Sequence, residues 1–456
     1  MIYYTVDGED VGYTEMLRYS LATLRSFPEN DNIDIYVVAG RRFAKAVSRF
    51  APDTVKIIEW EVDTSRCPPG DAFCIGILSS MRKTKIFEII PDMSKYEAVL
   101  FLDADIAITG PLEPIFQKVI EDGTRLHIKT DDYAPGNLTE AHSMNFWSNQ
   151  DYTEEQLSKL VNSATPVFNA GQFAFVPSPA FQTHFLALNE DILSHGDKKA
   201  FYEQSHMNKY FNLRNLTMTT LNLFVNFNEY LIPDPATGKS PPLMIHVPNN
   251  FLSFEEKLNK MKSAWKVFLE TSNKPIQHPT RYILHETISA STIIEIGVFQ
   301  GNFSTYLLNH FNPTKLYLVD PWQDGEIISG DGDGNDVKSY SGVELHQSVM
   351  KKFAEINEVV VMRKFSQILE DPYTFDDRSI DLVYVDGDHS YEGVLKDLKA
   401  AIRLLKPGTG WLTGHDFKCN NFDFGVKQAV MEFCVDYGFR IRHMFEDGCS
   451  SFAVSV

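Results

Sequence analysis

Positive charge is what this 456-residue chain lacks most. Lys and Arg total 42 against 61 Asp and Glu, a formal net charge of −19. Nucleic acid is held by clustered cations, so a DNA or RNA partner is not expected. The same deficit argues against a surface that clings to anionic lipid. Cysteine is nearly as scarce. Cys67, Cys74, Cys419, Cys434 and Cys449 are odd in number, scattered, and without the paired spacing of a metal site. They predict reduced structural thiols in a cytosol-like compartment. No apolar run approaches the roughly 20 residues that a bilayer requires, so no transmembrane segment is expected. The first residues, MIYYTVDGED, lack the basic start and apolar core of a leader. These absences predict a cytoplasmic setting, the host cytoplasm for a viral chain. What remains is 43% hydrophobic and 23% charged, enough to bury the cores of two or three domains.

The first half alternates strand-like and helix-like patterns. Ile2–Val6, Ile33–Val38, Val55–Ile58 and Val99–Leu102 read as strands. Met16, Leu17, Leu21 and Leu24 repeat at helical spacing, and Ser80 to Ile90 reads as a helix stopped by Pro91. Such alternation predicts a mostly parallel sheet covered on both faces, with ligands at the carboxyl ends of its strands. The unbroken apolar run Val99–Leu102 ends in Asp103-Ala104-Asp105. Carboxylates at i and i+2 of an extended chain point the same way and repel unless a cation lies between them. Hard oxygen ligands with open positions suit Mg²⁺ or Mn²⁺ holding a diphosphate, and a strand-end turn capped by Asp is the simpler alternative.

With those motifs in view, the first half resembles a nucleotide-sugar glycosyltransferase of the GT-A fold, family 8 type. The residues that carry the likeness are Thr5-Val6-Asp7, the segment with Arg82 and Lys85, LFLDADIAITGPLEPIF, and Asn169-Ala170-Gly171 in VFNAGQFAF. Glu203-Gln204 and His246 match more loosely. The resemblance implies Thr5 and Asp7 at the nucleoside and Arg82, Lys85, Asn169 and Gly171 at the donor. It further implies Gln204 beside the reacting carbon and Asp103, Asp105 and His246 as ligands of Mn²⁺ or Mg²⁺. The implied partners are a nucleoside-diphosphate sugar, a UDP-sugar first among them, and a glycan acceptor. One departure stands out. The family places a lysine shortly after the histidine, whereas Val247-Pro248-Asn249-Asn250 follows His246 here.

Ser253 to Leu269 is amphipathic, with Ser253 as N-cap, and Thr271 to Pro275 breaks it. The expected division is therefore 1–252, a helix and linker over 253–278, and a second domain over 279–456. That domain opens with the strand Thr292–Ile296, which runs into a turn bearing Gly297 and Gly301 and then a helix from about Ser304. Glycines between strand and helix let a ligand approach the backbone closely. The next strand, Lys315–Val319, ends in Asp320, an acid placed to accept ribose hydroxyls. Gln323 to Gly342 starts like a calcium loop, but Asp336 stands where that loop needs Gly, so it reads as a lid or as plain disorder.

Together with VDGDHSYEGVLKDLKAAIRLLKPG and GWLTGHDF, these features resemble a class I S-adenosylmethionine-dependent methyltransferase, of the group that includes sugar O-methyltransferases. The resemblance implies a doubly wound seven-stranded sheet with a closing antiparallel hairpin. It implies S-adenosylmethionine at Glu295, Gly297, Gly301, Ser304 and Asp320, and Asp386 and Asp416 as ligands where Mg²⁺ is used. Asp388 or His389 would be the base. His415 departs from relatives that carry a second carboxylate there. The whole chain is thus expected to be α/β throughout, a bifunctional glycan-modifying enzyme that transfers a sugar and O-methylates one. The alternative is one active domain beside a binding module or scaffold.

Overall fold

The computed structural model describes residues 1–6, 12–67, 70–131, 153–163, 165–195, 203–226, 242–248, 252–324, 326–329, 338–419, 424–446 and 448–456. Asp7 lies outside the described residues. The chain forms two compact units, Met1–Val267 and Phe268–Val456, both of mixed α/β architecture.

The strands of the first unit are β1 (Ile2–Val6), β2 (Ile35–Ala39), β3 (Val55–Glu59), β4 (Val99–Leu102), β5 (Ile106–Ile108), β6 (Leu126–Thr130), β7 (Phe168–Phe175), β8 (Thr217–Met218), β9 (Val225–Asn226) and β10 (Met244–His246). The main sheet has the order β3-β2-β1-β4-β7-β6-β8. Strands β3, β2, β1 and β4 are parallel, while β7 runs antiparallel to both β4 and β6. This is the Rossmann-like mixed sheet that the resemblance implied. Every β4 side chain is buried, as an apolar run covered on both faces should be. Phe101 of β4 stacks on Phe173 of β7 with ring centroids 4.9 Å apart. Beyond Asp105 the chain turns into β5, which pairs antiparallel with β10 and sets His246 opposite Ile106. That pairing carries a histidine distant in sequence to the end of β4.

The expected helix over Ser80–Ile90 is corrected to two helices, Ala72–Ser80 and Ile86–Ile89, joined by turns. Tertiary bonds outbid the local pattern there. The Arg82 guanidinium donates to the Trp60 carbonyl at 3.1 Å, and the Thr84 hydroxyl donates to Asn189. Backbone bonds from Arg82, Lys83 and Thr84 close onto the third residue back, as in a turn.

The second unit contains β11 (Ile276–His278), β12 (Thr292–Ile296), β13 (Lys315–Asp320), β14 (Glu326–Ser329), β15 (Lys338–Ser341), β16 (Val359–Arg363), β17 (Leu382–Val385), β18 (Trp411–Lys418), β19 (Ile441–Phe445) and β20 (Ser450–Ser455). Its sheet has the order β11-β19-β20-β18-β17-β12-β13-β16. Only β20 runs antiparallel to its neighbours, closing the expected hairpin with β19. Seven strands reproduce the doubly wound arrangement, and β11 adds an eighth, parallel to β19. The expected linker over 253–278 is corrected accordingly. The helix Phe254–Thr271 carries the division within it, and Ile276–His278 belongs to the second sheet because its backbone groups pair with β19. In the Gln323–Gly342 stretch, β14 and β15 pair as an antiparallel ribbon, which corrects plain disorder for those eight residues; 330–337 lie outside the described residues.

The thiol expectation is also corrected. Cys67 and Cys74 form one disulfide and Cys419 and Cys449 another, leaving Cys434 free and buried. The second bond follows from topology: Lys418 of β18 pairs with Ser450 of β20, so the residues just beyond them face each other. Among the described residues no helix is long and apolar enough to cross a membrane.

Candidate functional site

Each unit gathers its chemistry at the carboxyl ends of its central strands, where open α/β sheets bind ligands. In the first unit Asp103, Asp105 and His246 converge with ligand atoms within 4.8 Å of one another. Nε2 of His246 lies 3.1 Å from Asp105 Oδ1. Gly171 forms the floor. Its carbonyl accepts from Asp103 N at 2.7 Å, and a Cβ there would stand 2.5 Å from His246 Cε1 and 2.7 Å from Asp103 Oδ2. The cradle therefore exists only because position 171 carries no side chain. Two carboxylates and one imidazole suit Mn²⁺ and tolerate Mg²⁺.

Two lysines that the sequence motifs did not single out complete this cluster. Lys83 Nζ lies 3.0 Å from Asp103 and 2.9 Å from Glu203. Lys257, on the helix Phe254–Thr271, donates to Asp105 Oδ2 at 2.6 Å. Burial works against the charge of both lysines, but their carboxylate partners outweigh it and raise both pKa values. The two aspartates are driven apart. Burial, with the neighbouring Asp105 charge, lifts Asp103 despite Lys83. Burial is overcome at Asp105 by Lys257 and His246, which hold it below the usual carboxylate range.

The other expected donor contacts separate into two groups. Asn169 accepts from Gly171 N at 2.7 Å and so shapes the cradle. Gln204 accepts from Ala170 N at 2.7 Å, a buried bond that holds β7 in place, while its neighbour Glu203 reaches the cluster through Lys83. Thr5 ends β1. Arg82 and Lys85, expected at the donor, make their contacts away from this cluster. Arg82 is buried against Trp60, and Lys85 pairs with Glu88 at 3.5 Å. The reason is the turn at 81–84, which hands the inward direction to Lys83.

In the second unit the glycine turn after β12 is built as the sequence requires. Gly297 has φ +84°, and a Cβ there would collide with the carbonyl oxygen of Asp386. Gly301, at φ +68°, precedes the helix Asn302–Phe311. Asp320 accepts from Val298 N and Phe299 N at 2.9 Å each, and from Trp322 N at 2.7 Å. It thus ties the turn to the end of β13. Glu295 is buried beneath and accepts from the Ser304 hydroxyl. Burial pushes its carboxyl up to about 8, against the Ser304 bond.

Asp386, His389, His415 and Asp416 meet at the ends of β17 and β18. His389 Nε2 is 3.1 Å from Asp416 and 3.5 Å from Asp386, and His415 Nδ1 is 3.2 Å from Asp416. Burial opposes charge on His389, but the carboxylates of Asp386, Asp416 and Asp388 outweigh it and raise its pKa. Asp416 is held below its ordinary value, its histidine neighbours and Arg281 overcoming burial. Arg281 also donates to the Tyr384 hydroxyl at 3.0 Å and approaches Asp386 at 3.5 Å. Between the two candidate bases the geometry separates roles. Asp388 is exposed, accepts from Ser390 N at 2.9 Å and packs on Gly393, so it closes the turn before the helix Tyr391–Leu404. It lines the same pocket as His389, and His389 is the residue that faces Asp386 and Asp416. Two imidazoles among four donors do not suit Mg²⁺, which prefers oxygen.

Residues 294–417 match the family model described as a methyltransferase domain. An uncharacterized protein, y4gI, of Sinorhizobium fredii (strain NBRC 101917 / NGR234) is 30% identical over 119 residues, 26% of this chain, and the chain spans 12% of that relative's length. Among solved structures, a SAM-dependent methyltransferase from Aquifex aeolicus is similar at 18% identity and TM-score 0.28, over 38% of this chain and 86% of its own. Mouse xyloside xylosyltransferase 1 is similar at 13% identity and TM-score 0.37, over 55% of this chain and 98% of its own.

Proposed function

We propose that the second unit transfers a methyl group from S-adenosylmethionine to a sugar hydroxyl, and that the first transfers a sugar from a nucleoside diphosphate to a glycan acceptor. The observation that carries the methyl-transfer reading is the turn at Gly297–Gly301, packed on Asp386 within a stretch that matches a methyltransferase-domain model. Gly297 and Gly301 leave the backbone open to a ligand, Asp320 locks the turn, and Glu295 supports it through Ser304. Bound there, S-adenosylmethionine supplies an electrophilic methyl carbon. His389 would take the proton of the acceptor hydroxyl at Nε2. Asp386 and Asp416 then hold the imidazolium.

For the first unit the support is the cradle that Gly171 leaves open between Asp103, Asp105 and His246. Those residues would hold Mn²⁺ or Mg²⁺, which offsets charge on a departing nucleoside diphosphate. Lys83 keeps Asp103 and Glu203 together, and Gln204 fixes β7 behind them. One observation favours a second reading, in which this unit binds nucleotide without turnover: Asp105 is already neutralised by Lys257. Mass spectrometry of products from a panel of nucleotide sugars, with S-adenosylmethionine and a glycan acceptor, tests both activities. Sugar transfer abolished by Asp103→Ala and methyl transfer abolished by His389→Ala support the bifunctional reading. Methyl transfer without sugar transfer, for every donor, leaves the binding-module reading standing.

A further inference from the structure

Arg281 is a cation beside the cofactor turn to which proton removal and methyl transfer assign no part. It opens the short helix Arg281–Ile283, between β11 and β12. Its guanidinium lies 4.8 Å from the centroid of the Phe303 ring and 5.7 Å from that of Tyr282. Phe303 is the second residue of the helix Asn302–Phe311, so this stack holds the cation next to the turn at Gly297–Gly301. Nη1 donates to the Tyr384 hydroxyl at 3.0 Å and reaches Asp386 Oδ2 only at 3.5 Å. A charge-assisted bond between such groups is ordinarily about 2.7–2.9 Å long. The contact with Asp386 is therefore a loose one. The Arg281 side chain also keeps 18% of its surface exposed. Stacking on a ring fixes the plane of a guanidinium and leaves its edge donors for an anion.

The rest of the site is acidic. Glu295 pairs in register with Tyr384, and Asp386 follows two residues on, so these side chains share a face with the cation. The Arg281 charge draws Asp416 down and opposes the upward push on Glu295. Asp320 closes the far side of the turn. S-adenosylmethionine ends in an α-amino acid, one carboxylate and one ammonium. The acids favour the ammonium and repel the carboxylate, which needs a cation of its own. We propose that Arg281 binds the carboxylate of S-adenosylmethionine and so makes the second unit select cofactor molecules that carry it. The inference rests on the methyl-transfer reading and names the residue that reads the amino-acid end of that cofactor.

Calorimetry on the full chain compares S-adenosylmethionine with its decarboxylated form, which keeps the sulfonium and the ammonium and lacks only the carboxylate. Wild type should bind S-adenosylmethionine at least tenfold more tightly. Arg281→Gln should bring the two affinities within threefold, by weakening S-adenosylmethionine while leaving the decarboxylated form unchanged. Arg281→Lys keeps a cation over Phe303 but not the fork, and should give an intermediate ratio. Equal affinities in wild type overturn the proposal whether or not the variants fold. So does a wild-type ratio retained in Arg281→Gln, or an equal loss of both ligands there, which is what a merely structural arginine produces. Wild type that binds neither ligand removes the methyl-transfer reading and this inference together; wild type that binds both equally removes the inference alone.

Discussion

Glu295→Gln isolates the most strongly perturbed carboxyl of the second unit. Glu295 is the penultimate residue of β12, buried, with the Ser304 hydroxyl as its bonded partner. Its carboxyl is pushed from 4.5 up to about 8, first by burial and then by the charges of Asp386 and Asp320, against Ser304 and Arg281. Below pH 4.5 the group is protonated in both folded and unfolded chains, and the folded state carries no penalty. As pH rises toward 8 the unfolded chain ionises and the folded one does not, so stability is lost progressively and the loss levels off above the folded value. The gap between 4.5 and about 8 corresponds to a ceiling of about 5 kcal/mol. Glutamine keeps the shape and an oxygen for the Ser304 bond but cannot ionise. Urea unfolding at a series of pH values from 5 to 9, on wild type and variant, reads the difference directly. Wild type should fall relative to Glu295→Gln by several kcal/mol across that range. Parallel curves would show that the carboxyl is not held neutral by burial and would refute the reasoning.

Four further outcomes are expected. Gly171→Ala places a methyl against His246 and Asp103; Mn²⁺ affinity measured by calorimetry should fall at least tenfold, matching an overpacking cost of about 1–3 kcal/mol, and an unchanged affinity removes the cradle. Lys257→Met removes the ammonium that occupies Asp105, so Mn²⁺ without nucleotide should bind more tightly, and equal or weaker binding contradicts competition between lysine and metal. Because carboxylates raise the His389 pKa and a base must be neutral to act, methyl transfer should decline as pH falls through a value above the ordinary 6.5; an inflection at or below 6.5 argues against His389. Alkylation of the denatured, unreduced protein should label Cys434 alone, and five labelled cysteines by mass would contradict both disulfides.

The parts legible in the sequence are those that rest on short-range patterns. The buried run Val99–Leu102 followed by two aspartates, the glycines at 297 and 301, and the acid at 320 each follow from neighbours a few residues away. All were found where the patterns put them. Arg82 and Lys85 were placed at the donor by resemblance, on a segment expected to be one helix, which the bonds of Arg82 to Trp60 and of Thr84 to Asn189 break into turns. The three basic residues of MRKTK did signal a cation at the site, but only the turn decides that it is Lys83. Lys257, 152 positions from Asp105, gave no such signal.

Sequence by itself determined the class of each unit, the strand ends where chemistry collects, and the glycines that keep those ends open, because backbone sterics and hydrophobic periodicity act locally. Tertiary structure decided which charged groups meet there. It paired Cys419 with Cys449 across β18 and β20, turned Asp388 into a turn-closing residue and His389 into a partner of Asp416, and brought His415 and Asp416 to one face through a register shift. Those contacts depend on strand register and on the energy of burying charge beside opposite charge, and neither is encoded in any short stretch of residues.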